Sequence, residues 1–414
     1  MAGDSYRLLL KRVDGDWRVS QGMVVERAAP GSASGPRERR SGERVEVLGA
    51  DGKVLASRRL EGLDTLQEIF APDGSISVEP RNAVVMALPA DARAASIRVH
   101  SRKGRRLVQW LMDPGRLRRR RRRRRLRILA DALDAAPPQM VRLGGPDLAQ
   151  AKLQLNFIGD GFLEAELPAY HAAVEAFWTR LFQTAPFDRF EDAILGVRMD
   201  VISEESGVSF DLTAEHRAAQ QGDENTVQSG LTVPPNVNRE TPFKATFSQS
   251  RLIVVDTVEA EAYVRRNVQT APASVTVVVA NTRLYGGSGA DRVPVYSLSS
   301  LSADIAIHEL GHAAFGLADE YASRGSSLNP PLDEPNVDED FERSRLKWGH
   351  LVNVADADLG VSHPLPGPGP HIGAFEGAKY RPTGAFRPEF DCRMRTVNQP
   401  FCAVCREVIA GRLS

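Results

Sequence analysis

The chain has 414 residues, 42% of them hydrophobic and 26% charged, with 53 Lys plus Arg set against 53 Asp plus Glu. This is ordinary globular composition with room for two or three domains, and the zero formal net charge gives no overall pull toward nucleic acid or an acidic membrane surface. No apolar run approaches the roughly 18 residues needed to span a bilayer, and the N-terminus lacks the apolar core and small-residue cleavage site of a secretory leader, so by sequence alone the chain reads as cytoplasmic.

Residues 1–112 read as an all-β, sandwich-like domain. Apolar-rich runs such as Tyr6 to Val13 and Arg44 to Leu48 are broken by turn signals, and Asp51-Gly52 between Val45-to-Leu48 and Val54-to-Leu60 predicts a hairpin. Ser32 to Gly42, rich in Gly, Ser, Pro and Arg, reads as a surface loop. Residues 113–145 form an arginine-rich helix or linker whose centre is the unbroken run Arg118 to Arg125. Such a block repels itself and stays solvated. Without interleaved aromatics to stack on bases it does not mark a nucleic-acid partner. Ala135-Ala136-Pro137-Pro138 signals a boundary near residue 140.

Residues 146–414 read as an α/β domain, with strands alternating with helices. Leu153, Leu155 and Phe157 alternate into Gly159-Asp160-Gly161, a strand and turn. Tyr170, Val174, Phe177 and Leu181 then make the apolar stripe of a helix. A second strand runs from Ile194 to Ile202. Ser274 to Ala280, SVTVVVA, has the continuous apolar character of a strand buried on both faces.

The segment Ala306 to Tyr321, AIHELGHAAFGLADEY, carries the chemistry. His308 and His312 are four residues apart and share one helix face, so both imidazoles can aim at one cation, a catalytic zinc ion. Glu309, beside the first ligand, is the general base and acid for water attacking a peptide carbonyl. Ile307, Leu310, Ala314 and Leu317 supply an anchoring face, and Ser300 or Ser302 is placed to cap the start. Asp319 completes the ligand set only if the helix stops near Gly316. On a continuing helix it would lie about 10 Å further along the axis, whereas a left-handed glycine lets the chain turn back. Glu320 is the runner-up ligand.

Residues 322–375 are rich in Pro, Gly, Asp and Asn and read as long loops packed around Trp348; their His350, His363 and His371 are weaker ligand candidates. Met394 is the only methionine after the zinc helix, and Cys392, Cys402 and Cys405 are the only cysteines. One bridge from Cys392 to Cys402 or Cys405, closing a short loop, is expected in preference to a second metal site.

HELGHAAFGLADEY resembles the active-site helix of the IgA-peptidase family, the igalysins, within the metzincin-type zinc metallopeptidases. It carries one residue more before the glycine than the common metzincin pattern, and an aspartate in place of the third histidine. NFIGDGF, PFDRFEDAILGVRMDVISEESGV, Tyr285-Gly286-Gly287-Ser288-Gly289 and FEGAKY are similar to family landmarks, so the likeness spans roughly residues 150–410. It implies a metzincin-like α/β zinc metallopeptidase domain with one catalytic zinc, a protein or peptide substrate and a secreted location. It further implies a Met-turn at Met394 within the segment CRMR, oxyanion or substrate contacts from Tyr380 and Tyr285, and a substrate-pairing edge strand at Ala290 to Ser297.

Two other functions compete. A catalytically silent zinc-containing binding protein would act through its β domain, although a purely structural site needs no base such as Glu309. A zinc aminopeptidase would draw its carboxylate ligand from further downstream, with Glu342 at a suitable distance.

Overall fold

The computed structural model describes residues 138–289, 292–322 and 331–414, together with the strands and one turn of the first 111 residues, where side chains are described only at 45–49, 51, 53–56, 97 and 98. The arginine run and the 32–42 segment lie outside the described residues. The chain divides into two units, one of Met1–Gln67 with Glu79–Ala136, the other of Glu68–Val78 with Pro137–Ser414.

The first unit is built of β structure. Strands β1 (Ser5–Val13), β2 (Asp16–Val25) and β7 (Ala83–Pro89) form an antiparallel sheet in the order β2-β1-β7. A second sheet joins β3 (Arg44–Gly49), β4 (Val54–Arg59), β8 (Ala94–His100) and β9 (Arg106–Leu111) in the order β4-β3-β8-β9. β3 pairs antiparallel with β4 across the turn containing Asp51, and Val45, Val47 and Ile97 are fully buried. Strands β5 (Leu66–Phe70) and β6 (Ile76–Pro80), most of whose residues belong to the second unit, form a two-stranded sheet.

The second unit is a mixed α/β fold on a nine-stranded sheet of order β10-β12-β11-β16-β18-β17-β15-β14-β13. Its members are β10 (Met140–Gly144), β11 (Leu153–Asp160), β12 (Ile194–Met199), β13 (Ser209–Phe210), β14 (Thr246–Gln249), β15 (Leu252–Val254), β16 (Ser274–Ala280), β17 (Gly287–Ser288) and β18 (Val295–Ser297). The central strands β11 and β16 are parallel partners. Leu155, Phe157, Val277 and Val279 point into one core, while Ile158, Val278 and Ala280 point into the other. A period of two with both sides apolar is what a doubly covered sheet requires.

Helix α1 (Leu167–Phe182), started by a proline in its first turn, covers one face with the stripe Tyr170, Val174, Phe177 and Leu181, all fully buried. Two short helices follow, α2 (Ala214–Gln221) and α3 (Glu224–Gln228). Helix α4 (Thr257–Asn267) is capped by the Asp256 carboxylate and covers the other face with Ala260 and Val264. Helices α5 (Ser302–Phe315) and α6 (Ala403–Leu413) share the core of α1. The buried Asp160 carboxylate at the end of β11 accepts from Thr241 Oγ1 and from the backbone N–H groups of Phe243 and Ala245, holding that loop to the sheet. Strands β19 (Phe375–Ala378) and β20 (Arg381–Arg387) form a separate hairpin. Trp348 is buried and donates to the Gly373 carbonyl.

Two local expectations are corrected. The strand before α5 is not an edge: β18 pairs parallel with β16 and antiparallel with β17, so it lies inside the sheet, and among the described residues of the expected Ala290-to-Ser297 stretch only Val295–Ser297 is strand. Nor does a serine side chain cap α5. The N-cap is Leu301, and the Ser302 hydroxyl is instead engaged with the Ser297 hydroxyl in the protein interior. Among the described residues, no helix is long and apolar enough to cross a membrane.

Candidate metal centre

Helix α5 ends where the spacing argument requires. Gly316 adopts the left-handed conformation at φ 63° and ψ 33°, and its N–H bonds back to the His312 carbonyl. The Leu317 N–H reaches the Gly311 carbonyl, which turns the chain toward the histidine face. His308 Nε2 and His312 Nε2 lie 3.2 Å apart. Asp319 Oδ1 stands 3.4 Å from the first and 3.1 Å from the second. Donors bound to a tetrahedral zinc at about 2.0–2.1 Å are themselves about 3.3 Å apart. The three atoms therefore fit as three corners around one such ion. His308 is fully buried, whereas the His312 side chain is 24% exposed.

The surrounding groups dictate which nitrogen is free. His308 Nδ1 lies 2.8 Å from the Arg393 carbonyl and His312 Nδ1 lies 2.7 Å from the Leu317 carbonyl. A carbonyl only accepts, so each Nδ1 carries the proton and each Nε2 keeps its lone pair for a metal. The Tyr380 hydroxyl donates to Asp319 Oδ2 at 2.7 Å, which leaves Oδ1 facing the imidazoles. Without an ion, burial pushes the His312 imidazole down, but the Asp319 carboxylate beside it outweighs this and holds it up to about 9, so a metal taking Nε2 displaces a proton from it.

Met394 packs beneath the helix. A Cβ built on Gly311 would lie 2.8 Å from its sulfur, so the bare glycine between the two histidines is what lets the thioether approach. Arg393 ties this turn to α5 twice: its carbonyl receives the His308 proton, and its guanidinium donates to Asp304 at 2.8 Å and to the Val397 carbonyl at 2.6 Å. Glu309, almost fully buried, lies against Gly289; a Cβ there would stand 1.7 Å from its Oε2.

The remaining candidates go elsewhere. Glu320 turns away from the histidines: its Oε1 lies 3.3 Å from Cys405 Sγ and 3.5 Å from Cys402 Sγ, and burial raises its carboxyl well above the usual range. Tyr285 is buried with Ile305 and Val397. His350 pairs with Glu407 and Glu342 with Arg345, both at the surface, and His363 is exposed. The expected disulfide is absent. All three cysteines are free, and the Cys392 and Cys405 sulfurs are 3.9 Å apart, far beyond the roughly 2.05 Å of a bond.

The groups that sequence reasoning missed are the carbonyls of Leu317 and Arg393, which carry no side-chain signature, and the two glycines, Gly289 and Gly311, that make room for Glu309 and Met394. Only the glycine-rich stretch Gly286-Gly287-Ser288-Gly289 hinted at close approach. A family model described as IgA Peptidase M64 matches residues 144–368 and 366–412. A comparison with curated proteins finds no match.

Proposed function

Because this chain belongs to the IgA peptidase M64 family, a family of hydrolases acting on protein or peptide substrates, we propose that it is a zinc endopeptidase with a metzincin-like catalytic domain. The convergence of two imidazole nitrogens and one carboxylate oxygen within 3.1–3.4 Å of one another carries this reading. His308, His312 and Asp319 would hold the ion. A zinc ion bound there supplies polarisation of the scissile carbonyl and acidification of water.

The side chains do the rest. Glu309, almost fully buried, takes a proton from the attacking water and returns it to the leaving amine. Arg393 and Leu317 fix the tautomers of the two imidazoles, while Tyr380 orients Asp319. With its hydroxyl engaged by Asp319, Tyr380 acts here as a positioning residue. Met394 supplies an apolar floor without binding the ion, and its fit under Gly311 supports the metzincin-like assignment.

Replacing Glu309 with glutamine tests this. The E309Q variant is expected to keep its metal and lose turnover on the order of 10² or more on a peptide library. Undiminished cleavage by E309Q at full metal occupancy rules the mechanism out.

A further inference from the structure

We propose that Cys392, Cys402, Cys405 and Glu320 bind a second zinc ion, a structural one, next to the candidate catalytic centre. One ligand atom from each of the four lies within 4.8 Å of the others, and all four residues are buried. Thiolates bound to zinc at about 2.3 Å are about 3.8 Å apart, and a thiolate and a carboxylate oxygen are about 3.5 Å apart. The separations here are 3.9 Å between Cys392 and Cys405 sulfurs, and 3.5 Å and 3.3 Å from Glu320 Oε1 to Cys402 and Cys405. A tetrahedral S₃O set fits these spacings as they stand.

The environment is built for negative sulfur and for a metal-held carboxylate. Cys392 Sγ accepts from the N–H groups of Cys402 at 3.2 Å and Met394 at 3.5 Å, and Cys402 Sγ from the N–H of Cys405 at 3.4 Å. Cys402 is also the N-cap of α6, an 11-residue helix whose N-terminal dipole favours anions. Glu320 Oε1 receives Asn336 Nδ2 at 2.9 Å, while its fully buried Oε2 has no hydrogen-bond partner among the described residues. A carboxylate buried in that state is strongly disfavoured unless a cation meets it. Soft thiolates with tetrahedral spacing select zinc over the harder divalent ions. On binding, each thiol releases one proton to solvent and its sulfur lone pair is donated to the ion.

The position explains why such an anchor belongs here. Glu320 follows the candidate ligand Asp319, and its N–H bonds to the Met394 carbonyl at 2.7 Å. Cys392 precedes Met394 by two residues. One ion would fasten the Asp319 segment, the methionine turn and the terminal helix together.

The test uses the full-length chain purified under reducing conditions and loaded with zinc. The double variant H308A/H312A is expected to retain one zinc per chain, with sulfur neighbours at about 2.3 Å in its X-ray absorption spectrum. Adding C405S is expected to remove it. Should either variant fail to fold, cobalt loading of the unmodified chain decides: a thiolate-to-cobalt charge-transfer band supports the site and its absence overturns it. A disulfide between Cys392 and Cys405, iron in place of zinc, or one zinc with only nitrogen and oxygen neighbours also overturns it. In the unmodified chain, a single zinc with only sulfur and oxygen neighbours upholds this site and sinks the peptidase reading instead.

Discussion

Replacing Gly289 with alanine asks whether the Glu309 carboxylate must stand where it does. The added Cβ would lie 1.7 Å from Oε2, 2.2 Å from Cδ and 3.0 Å from Cγ of Glu309. Every clashing atom belongs to one flexible side chain, so the backbone need not move. To reach ordinary contact at about 3.4 Å the oxygen must retreat by about 1.7 Å. Misplacing a catalytic group by about 1 Å can cost roughly 10²-fold, so G289A should lose at least that in kcat/KM. The fold should tolerate the change: Gly289 is not in the left-handed region, and alanine stiffens the unfolded chain, offsetting part of a repacking cost of about 1–3 kcal/mol. Peptide cleavage, thermal melting and zinc content measured together separate the cases. Full activity in a correctly metallated G289A protein would show that Glu309 does not act from this position.

Further outcomes follow from the neighbouring contacts. Y380F deletes the donor to Asp319 Oδ2, and removing such a support should weaken zinc binding by about 10–100-fold, read by chelator competition. In G311A the new methyl meets the Met394 sulfur at 2.8 Å, so zinc should be lost faster to a chelator while helix content holds, because alanine is the better helix former. G316A forces a side chain into φ 63° at about 1–2 kcal/mol. For a domain of this size that is a few degrees in Tm, about 2–4 °C per kcal/mol, by calorimetry, and an unchanged Tm would contradict the cap.

The amphipathic stripe of α1, the buried run of β16 and the end of α5 at Gly316 were readable because each depends on spacing within a few residues or on one residue's backbone freedom. Family membership was readable for a similar reason, since the motif and its landmarks are contiguous strings. The strand order was not. That Val295–Ser297 lies between β16 and β17 is settled by pairings with residues near 279 and 287, which no local pattern encodes.

Asp319 and Glu320 show the division most plainly. Adjacent in the chain and alike in chemistry, both stood as ligand candidates on sequence alone. Past Gly316 the chain has no helical period to assign faces, and the direction of each carboxylate is decided by what packs around it. Tyr380 and the imidazoles meet Asp319, while Asn336 and two thiols 82 and 85 residues downstream meet Glu320. Which residues can do chemistry was written in their types and spacing; which of them do it together was decided by contacts between segments far apart in the chain.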